Sequence, residues 1–179
     1  SKNPNLTMEI IETHPDYNWD WREVSKHPNV TIEFIISHSE YNWDWVSQNP
    51  NVTMEYIEKN PKYNWNWWRI SCNPNLNIEF VESHPDYNWD WSCISKNPNV
   101  TMDFIEDHPE YNWNWNRVSE NPNLTMDFVE SHPEYNWYWR QVSRNPNVTM
   151  DFIKDNPEYN WNWYYISRNK FIKDKDKFI

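Results

Sequence analysis

The chain has 179 residues, a net charge of −11, no glycine, 13 prolines and 15 tryptophans, and a mean hydropathy of −1.11. So acidic a chain argues against phosphate backbones and anionic membranes as main partners and favours basic ones. No apolar run nears the roughly 18–20 residues that span a bilayer and no charged-then-apolar leader is visible, so the sequence reads as a soluble intracellular protein.

Without glycine the chain is poor material for tight hairpins, whereas proline at fixed places starts helices. Burial must rest on a few large aromatic side chains of about 150–250 Å² each. Tyr-Asn-Trp-x-Trp stands at residues 17–21 and returns at 41–45, 63–67, 87–91, 111–115, 135–139 and 159–163, taking in every tryptophan but Trp68. The prolines Pro4, Pro28, Pro50, Pro74, Pro98, Pro122 and Pro146 are spaced 24 apart, except for 22 between Pro28 and Pro50. A fixed period of this size decides the fold before local propensity does. It divides a single array into seven copies at 1–24, 25–46, 47–70, 71–94, 95–118, 119–142 and 143–166. The opening Ser1, Lys2, Asn3 and Pro4 repeat Ser95, Lys96, Asn97 and Pro98 without an initiator Met, as in a trimmed N-terminus or a piece of a longer array. At the other end Lys170 replaces the expected proline, and residues 167–179 are expected to form a polar cap or tail.

Two prolines cut each copy into two short segments, with Ser39 standing for the second proline in the second copy. In the first, Thr101 can cap the helix that follows and Asp103 complements its dipole. Acids hold that place in every copy: Glu9, Glu33, Glu55, Glu79, Asp103, Asp127 and Asp151. In the second, Pro109 and Asn112 stand where a helix would begin, with Trp115 and Val118 on one face and Trp113 pointing elsewhere. A strand reading rests on the period-two alternation of residues 52–56 and of Tyr-Asn-Trp-x-Trp, but the lack of glycine and the caps oppose it. The expected fold is all-α, an α-solenoid of seven short helical-hairpin repeats with a 24-residue unit and a 22-residue second copy. Losing two residues turns a helix by about 200°. The short copy should therefore have a shortened or distorted second helix around Trp45, Val46 and Ser47.

The segment Asn-Pro-Asn-Leu-Thr at 3–7, with Trp-Asp-Trp at 19–21 leading to Val24 and Ser25, resembles the tandem repeats of proteins from amoeba-infecting giant viruses. The resemblance covers residues 1–169. It implies an α-solenoid without assigned activity, placed in host cytoplasm or virion. Tyr87 and Asn88 depart from that pattern, where Lys-Pro would be expected before the first tryptophan.

Chemistry-bearing residues have structural explanations. His14, His38, His84, His108 and His132 share one phase, which invites a metal or pH switch. Asn60 and Asn156 fill the same phase, however, so a turn-and-cap role is favoured. Asn-x-Thr at Asn5, Asn29, Asn51, Asn99, Asn123 and Asn147 is formally a glycosylation acceptor, but Asn77 replaces the threonine in one copy, as a cap can. Ser71, Ser119 and their equivalents lack a base in register, and no acid and base are set apart by environment. Cys72 and Cys93 occupy different phases and read as incidental free thiols. No catalytic residue, cofactor or metal is expected.

The paired tryptophans read as core rather than as platforms for sugars or bases. What varies between copies is the pair after each Trp-x-Trp, including Arg22 and Glu23, Trp68 and Arg69, Asn116 and Arg117, Arg140 and Gln141, Tyr164 and Tyr165. A further variable place holds Lys26, Gln48, Cys72, Lys96, Glu120, Arg144 and Arg168. The paired residues Arg22, Glu23, Trp68, Arg69, Asn116, Arg117, Arg140, Gln141, Tyr164 and Tyr165 are the candidate partner-binding surface of a non-catalytic protein-interaction scaffold. The phased acids form a stripe expected to draw a partner that is basic along its contact face. The alternatives are a self-assembling structural element and then a carbohydrate-binding module.

Overall fold

The structure, a computed structural model, describes residues 3–38 and 42–171. Ser39, Tyr41 and the last eight residues of the expected tail lie outside them. The chain forms two compact units, Ser1–Asp90 and Trp91–Ile179. The first holds α1 (Met8–Thr13), α2 (Trp21–Val24), α3 (Ile32–Ile36), α4 (Trp43–Val46), α5 (Met54–Lys59), α6 (Trp67–Ile70) and α7 (Ile78–Ser83). The second holds α8 (Trp91–Ser95), α9 (Met102–Asp107), α10 (Trp115–Val118), α11 (Met126–Ser131), α12 (Trp139–Val142), α13 (Met150–Asp155) and α14 (Trp163–Ile166). Among the described residues there is no strand, and long and short helices alternate in a regular helical repeat.

The longer helices start where the sequence placed them. Thr101 accepts the Phe104 N–H at 3.2 Å, and Asn77 does the same for Phe80 at 2.9 Å. Each satisfies an amide left over at a helix start. The helix ends use the histidine phase: His84 Nδ1 lies 2.9 Å from the Phe80 carbonyl, and Asn156 Nδ2 donates to that of Phe152 at 3.0 Å. A carbonyl only accepts, so the His84 Nδ1 carries the proton.

The shorter helices correct the sequence reading. α10 begins at Trp115, not near Pro109 or Asn112, and is a single turn capped by Asn114. The preceding residues are held by other bonds: Trp113 N–H donates to the Tyr111 carbonyl at 2.8 Å, and its indole Nε1 donates to that of His108 at 2.8 Å. The first of these closes a three-residue turn, the second ties the indole to the end of α9. Neither period-two stretch is a strand: Met54 to Tyr56 lie in α5, and Tyr111 to Trp113 make a turn that leads into α10. Trp113 is buried and Trp115 half-buried, so the two tryptophans of a pair do different jobs.

Val24, Val46, Ile70, Ile94, Val118 and Val142 are fully buried, as are Val52 and Leu124 after the Asn-Pro-Asn turns. Buried asparagines join successive copies within each unit: Asn73 Nδ2 donates to the Ser47 and Asn49 carbonyls, and Asn121 Nδ2 to those of Ser95, Asn97 and Val100. Ser47 and Ser119, just after α4 and α10, tie these short helices to the start of the next short one. Ser47 Oγ accepts the Asn66 N–H at 3.0 Å, and Ser119 Oγ that of Tyr138 at 2.9 Å. Each such bond gives a partner to a backbone amide just before a short helix.

The 22-residue copy is not distorted where expected. α4 keeps four residues, although Asn42 caps the Asp44 N–H two residues on where Asn66 caps that of Arg69 three on, while α3 has five residues where α1 and α5 have six. Counted back from Val46, Trp43 takes the place held by Trp21 and Trp67, and Trp45 takes that of Glu23 and Arg69. The motif has slipped by two, and its alternation sets one tryptophan where another would have been. Trp43 accordingly lies against Tyr63 at 4.6 Å between ring centroids, as Trp67 lies against Tyr87 at 3.8 Å. The slip leaves a mark: Ser25 Oγ, fully buried, has no hydrogen-bond partner among the described residues.

Neither cysteine is a free thiol, since Cys72 and Cys93 are both disulfide-bonded. Difference of phase misled the sequence reading. In the second unit, residues of those same two phases touch in Glu120 and Gln141, 3.0 Å apart and 21 residues distant.

Candidate interaction surface

A one-turn helix whose first and last residues face the core turns its two middle residues outward. Those middle residues are the variable pair, and the variable residue two beyond the helix end reaches the next copy.

In the first unit Trp45 gathers them. The Arg22 guanidinium lies 4.7 Å from its ring centroid, the Lys26 ammonium 5.3 Å and the Arg69 guanidinium 5.0 Å. Arg69 also lies 4.4 Å from the ring of exposed Trp68. Lys26 pairs with Glu23 at 2.7 Å, and that hydrogen bond holds the Glu23 carboxyl below its usual range. Arg22, Glu23, Trp68 and Arg69, expected as partner-binding, thus meet around a residue that the sequence had assigned to the core. The readable signal was the two residues missing after Trp45.

In the second unit a line of contacts crosses three copies. Arg117 Nη1 donates to both carboxylate oxygens of Glu120 at 3.0 and 3.1 Å, and Gln141 Nε2 donates to Glu120 at 3.0 Å. Arg144 Nη1 donates to Gln141 Oε1 at 3.1 Å and its guanidinium lies 5.2 Å from the Tyr165 ring. The Tyr165 hydroxyl accepts from Arg140 Nη2 at 2.7 Å. Tyr165 meets Tyr164 edge-on at 5.0 Å, and Arg168 lies 4.2 Å from the Tyr164 ring. Arg117, Arg140, Gln141, Tyr164 and Tyr165 therefore belong to one ribbon. Asn116 is exposed beside it and enters none of these contacts.

Arginine is confined to the short helices and the turns after them, although charge as a whole is not, since Lys59 and Lys154 lie in long helices and Glu23 and Asp44 in short ones. All six arginines, Arg22, Arg69, Arg117, Arg140, Arg144 and Arg168, lie in a short helix or two residues past its end. The phased acids, such as Asp103 and Asp127, are exposed in the first turns of the long helices. Whole-chain charge hid this segregation from the sequence reading. Chemically, Arg140 spends its Nε and Nη2 on the Tyr165 hydroxyl and Arg144 its Nη1 on Gln141, so only their remaining N–H groups are left for planar oxygen acceptors, while the covered ring faces are less open to stacking ligands. Among the described residues no helix is long and apolar enough to cross a membrane. Compared with protein-family models, with curated proteins and with solved structures, the chain matches none.

Proposed function

We propose that the protein is a non-catalytic interaction scaffold, an α-solenoid whose helical copies hold a ribbon of variable side chains toward a protein partner. The observation that carries this reading is the contact line from Arg117 through Glu120, Gln141 and Arg144 to Tyr165, in which residues that differ from copy to copy touch one another both within copies and across their boundaries. Drift at isolated solvated positions gives no reason for such continuity. The exposed acids of the long helices form a second surface that draws basic groups at low ionic strength. The test is partner capture from a lysate of the source cells. A partner retained by the wild type and lost on Trp68→Ala or Arg140→Ala supports the scaffold, and one retained by both variants overturns it.

Trp163 favours a second reading, self-assembly. It is 63% exposed, whereas Trp139, at the same place in the preceding copy, stacks on Tyr159 at 4.4 Å. Rings left uncovered in this way suit end-to-end addition of another copy. Concentration-dependent light scattering that disappears on Trp163→Ser would support it, and an unchanging monomer mass would exclude it.

A further inference from the structure

We infer that the ribbon of the second unit is a receptor for a carboxylate-rich segment of a partner protein, gripped by Arg140, Arg144 and Arg168. This deepens the scaffold reading and rests on it. The chain carries 27 Asp and Glu against 16 Lys and Arg, so an exposed arginine could easily have been given a carboxylate. Arg117 has one, Glu120 at 3.0 Å. Arg140, Arg144 and Arg168 have none among the described residues; their guanidiniums rest instead on tyrosines. Arg140 and Arg144 both approach the one ring of Tyr165, at 5.3 and 5.2 Å from its centroid, so two like charges share one anchor. An anion bound nearby lowers the cost of holding both charges at one side chain. A cleft of about 320 Å³ opens beside Arg144, lined also by Glu120, Gln141, Asn145 and Pro146.

The geometry specifies the anion. Arg140 is held by its Nε and Nη2 bonds to the Tyr165 hydroxyl and Arg144 by its Nη1 bond to Gln141, so both have lost much of their rotamer freedom, and the terminal N–H groups left over, such as Nη1 of Arg140, can still pair on a carboxylate. Nucleic acid fits less well. Three guanidiniums neutralise few phosphates, the rest of the chain repels a polyanion, and the ring faces on which bases would stack already carry cations. A protein segment with a few spaced acids meets the ribbon without that long-range penalty.

The probe is a short fluorescein-labelled peptide of alternating Glu and Ser, titrated into the full chain by fluorescence anisotropy at low salt and at about 0.15 M salt. Expected are saturable binding that weakens steeply with salt, and at least a tenfold loss in the triple variant Arg140→Gln, Arg144→Gln, Arg168→Gln. The matching triple Lys variant should stay several-fold weaker than wild type, because charge alone does not restore the planar fork. If the triple variant unfolds, Arg144→Gln with Arg168→Gln serves, since it leaves the Arg140 bond to Tyr165 in place. Several outcomes overturn the inference: no peptide binding by the wild type, equal binding by the Gln variant, tighter binding of oligothymidylate through the same arginines, or a concentration-dependent mass abolished by the Gln variant. Failure here with a captured partner still lost on Trp68→Ala would remove only the carboxylate receptor and leave the scaffold.

Discussion

The indole of Trp115 lies nearly flat on the phenol ring of Tyr135, 3.6 Å between centroids and 17° between planes. Tyr135 stands one copy further on, and its own neighbour Trp137 meets Trp115 edge-on at 5.6 Å. Three rings thus join two copies at each junction of this kind. The buried first tryptophan closes its own copy, and the half-buried second one recruits the next.

Substitutions at these rings should separate the two jobs. Trp113→Ala empties a buried site and should cost about 3–5 kcal/mol. Trp115→Ala and Tyr135→Ala should each cost less, but a double-mutant cycle should show about 0.5–1.5 kcal/mol of coupling between them. Asn116→Ala should stay within about 0.5 kcal/mol. Urea midpoints check all of these, and equal shifts for Trp113→Ala and Asn116→Ala would refute the division into core and display positions.

The same substitution should have opposite signs at two equivalent serines. Ser119→Ala removes the acceptor of the Tyr138 N–H and should destabilise by about 1–3 kcal/mol. Ser25→Ala removes a buried hydroxyl that bonds to nothing described and should be neutral or stabilising. Thermal unfolding of the two variants decides, and a loss at Ser25 as large as at Ser119 would mean that the slipped copy satisfies its serine after all.

Restoring the missing pair offers a direct check on the slip. Inserting Arg-Glu between Trp45 and Val46, as at Arg22 and Glu23, should move Trp45 to the start of the helix and bring an amide to Ser25. Hydrogen exchange should then show new protection at Asp44, now the residue equivalent to Asn66. Unchanged exchange, with Trp43 still heading the helix, would show that the slip has another cause.

Alkaline pH should weaken the fold through its tyrosines. Burial, then the charges of Glu134 and Glu106, raise Tyr135 above its ordinary value of 10.0, and burial likewise raises Tyr159. The folded chain therefore holds these protons more tightly than the unfolded one. The associated stability is fully present below about pH 10 and is lost as pH rises through the folded-state value. Tyr135→Phe should push the midpoint of alkaline unfolding, followed by circular dichroism, to higher pH. An unmoved midpoint would exclude Tyr135 as a contributor.

Much of this protein is local and was legible as such. The 24-residue period, the Thr and Asn caps, the acids in the first turns and the histidine-phase helix ends all follow from interactions within a few residues, which a sequence displays directly. The variable places after each Trp-x-Trp were equally visible, because repetition makes any departure stand out. What the sequence could not decide was which tryptophan starts the short helix, or which way the short copy would yield. Both depend on contacts between residues far apart along the chain: the Trp115 stack on Tyr135, and the Ser119 bond to Tyr138, 19 residues away. The disulfide state of Cys72 and Cys93 and the meeting of Arg140 with Tyr165 belong to the same class. An alternating motif satisfies local rules equally well in two registers. Only tertiary packing, where a ring must find a ring and an amide an acceptor, selects one of them.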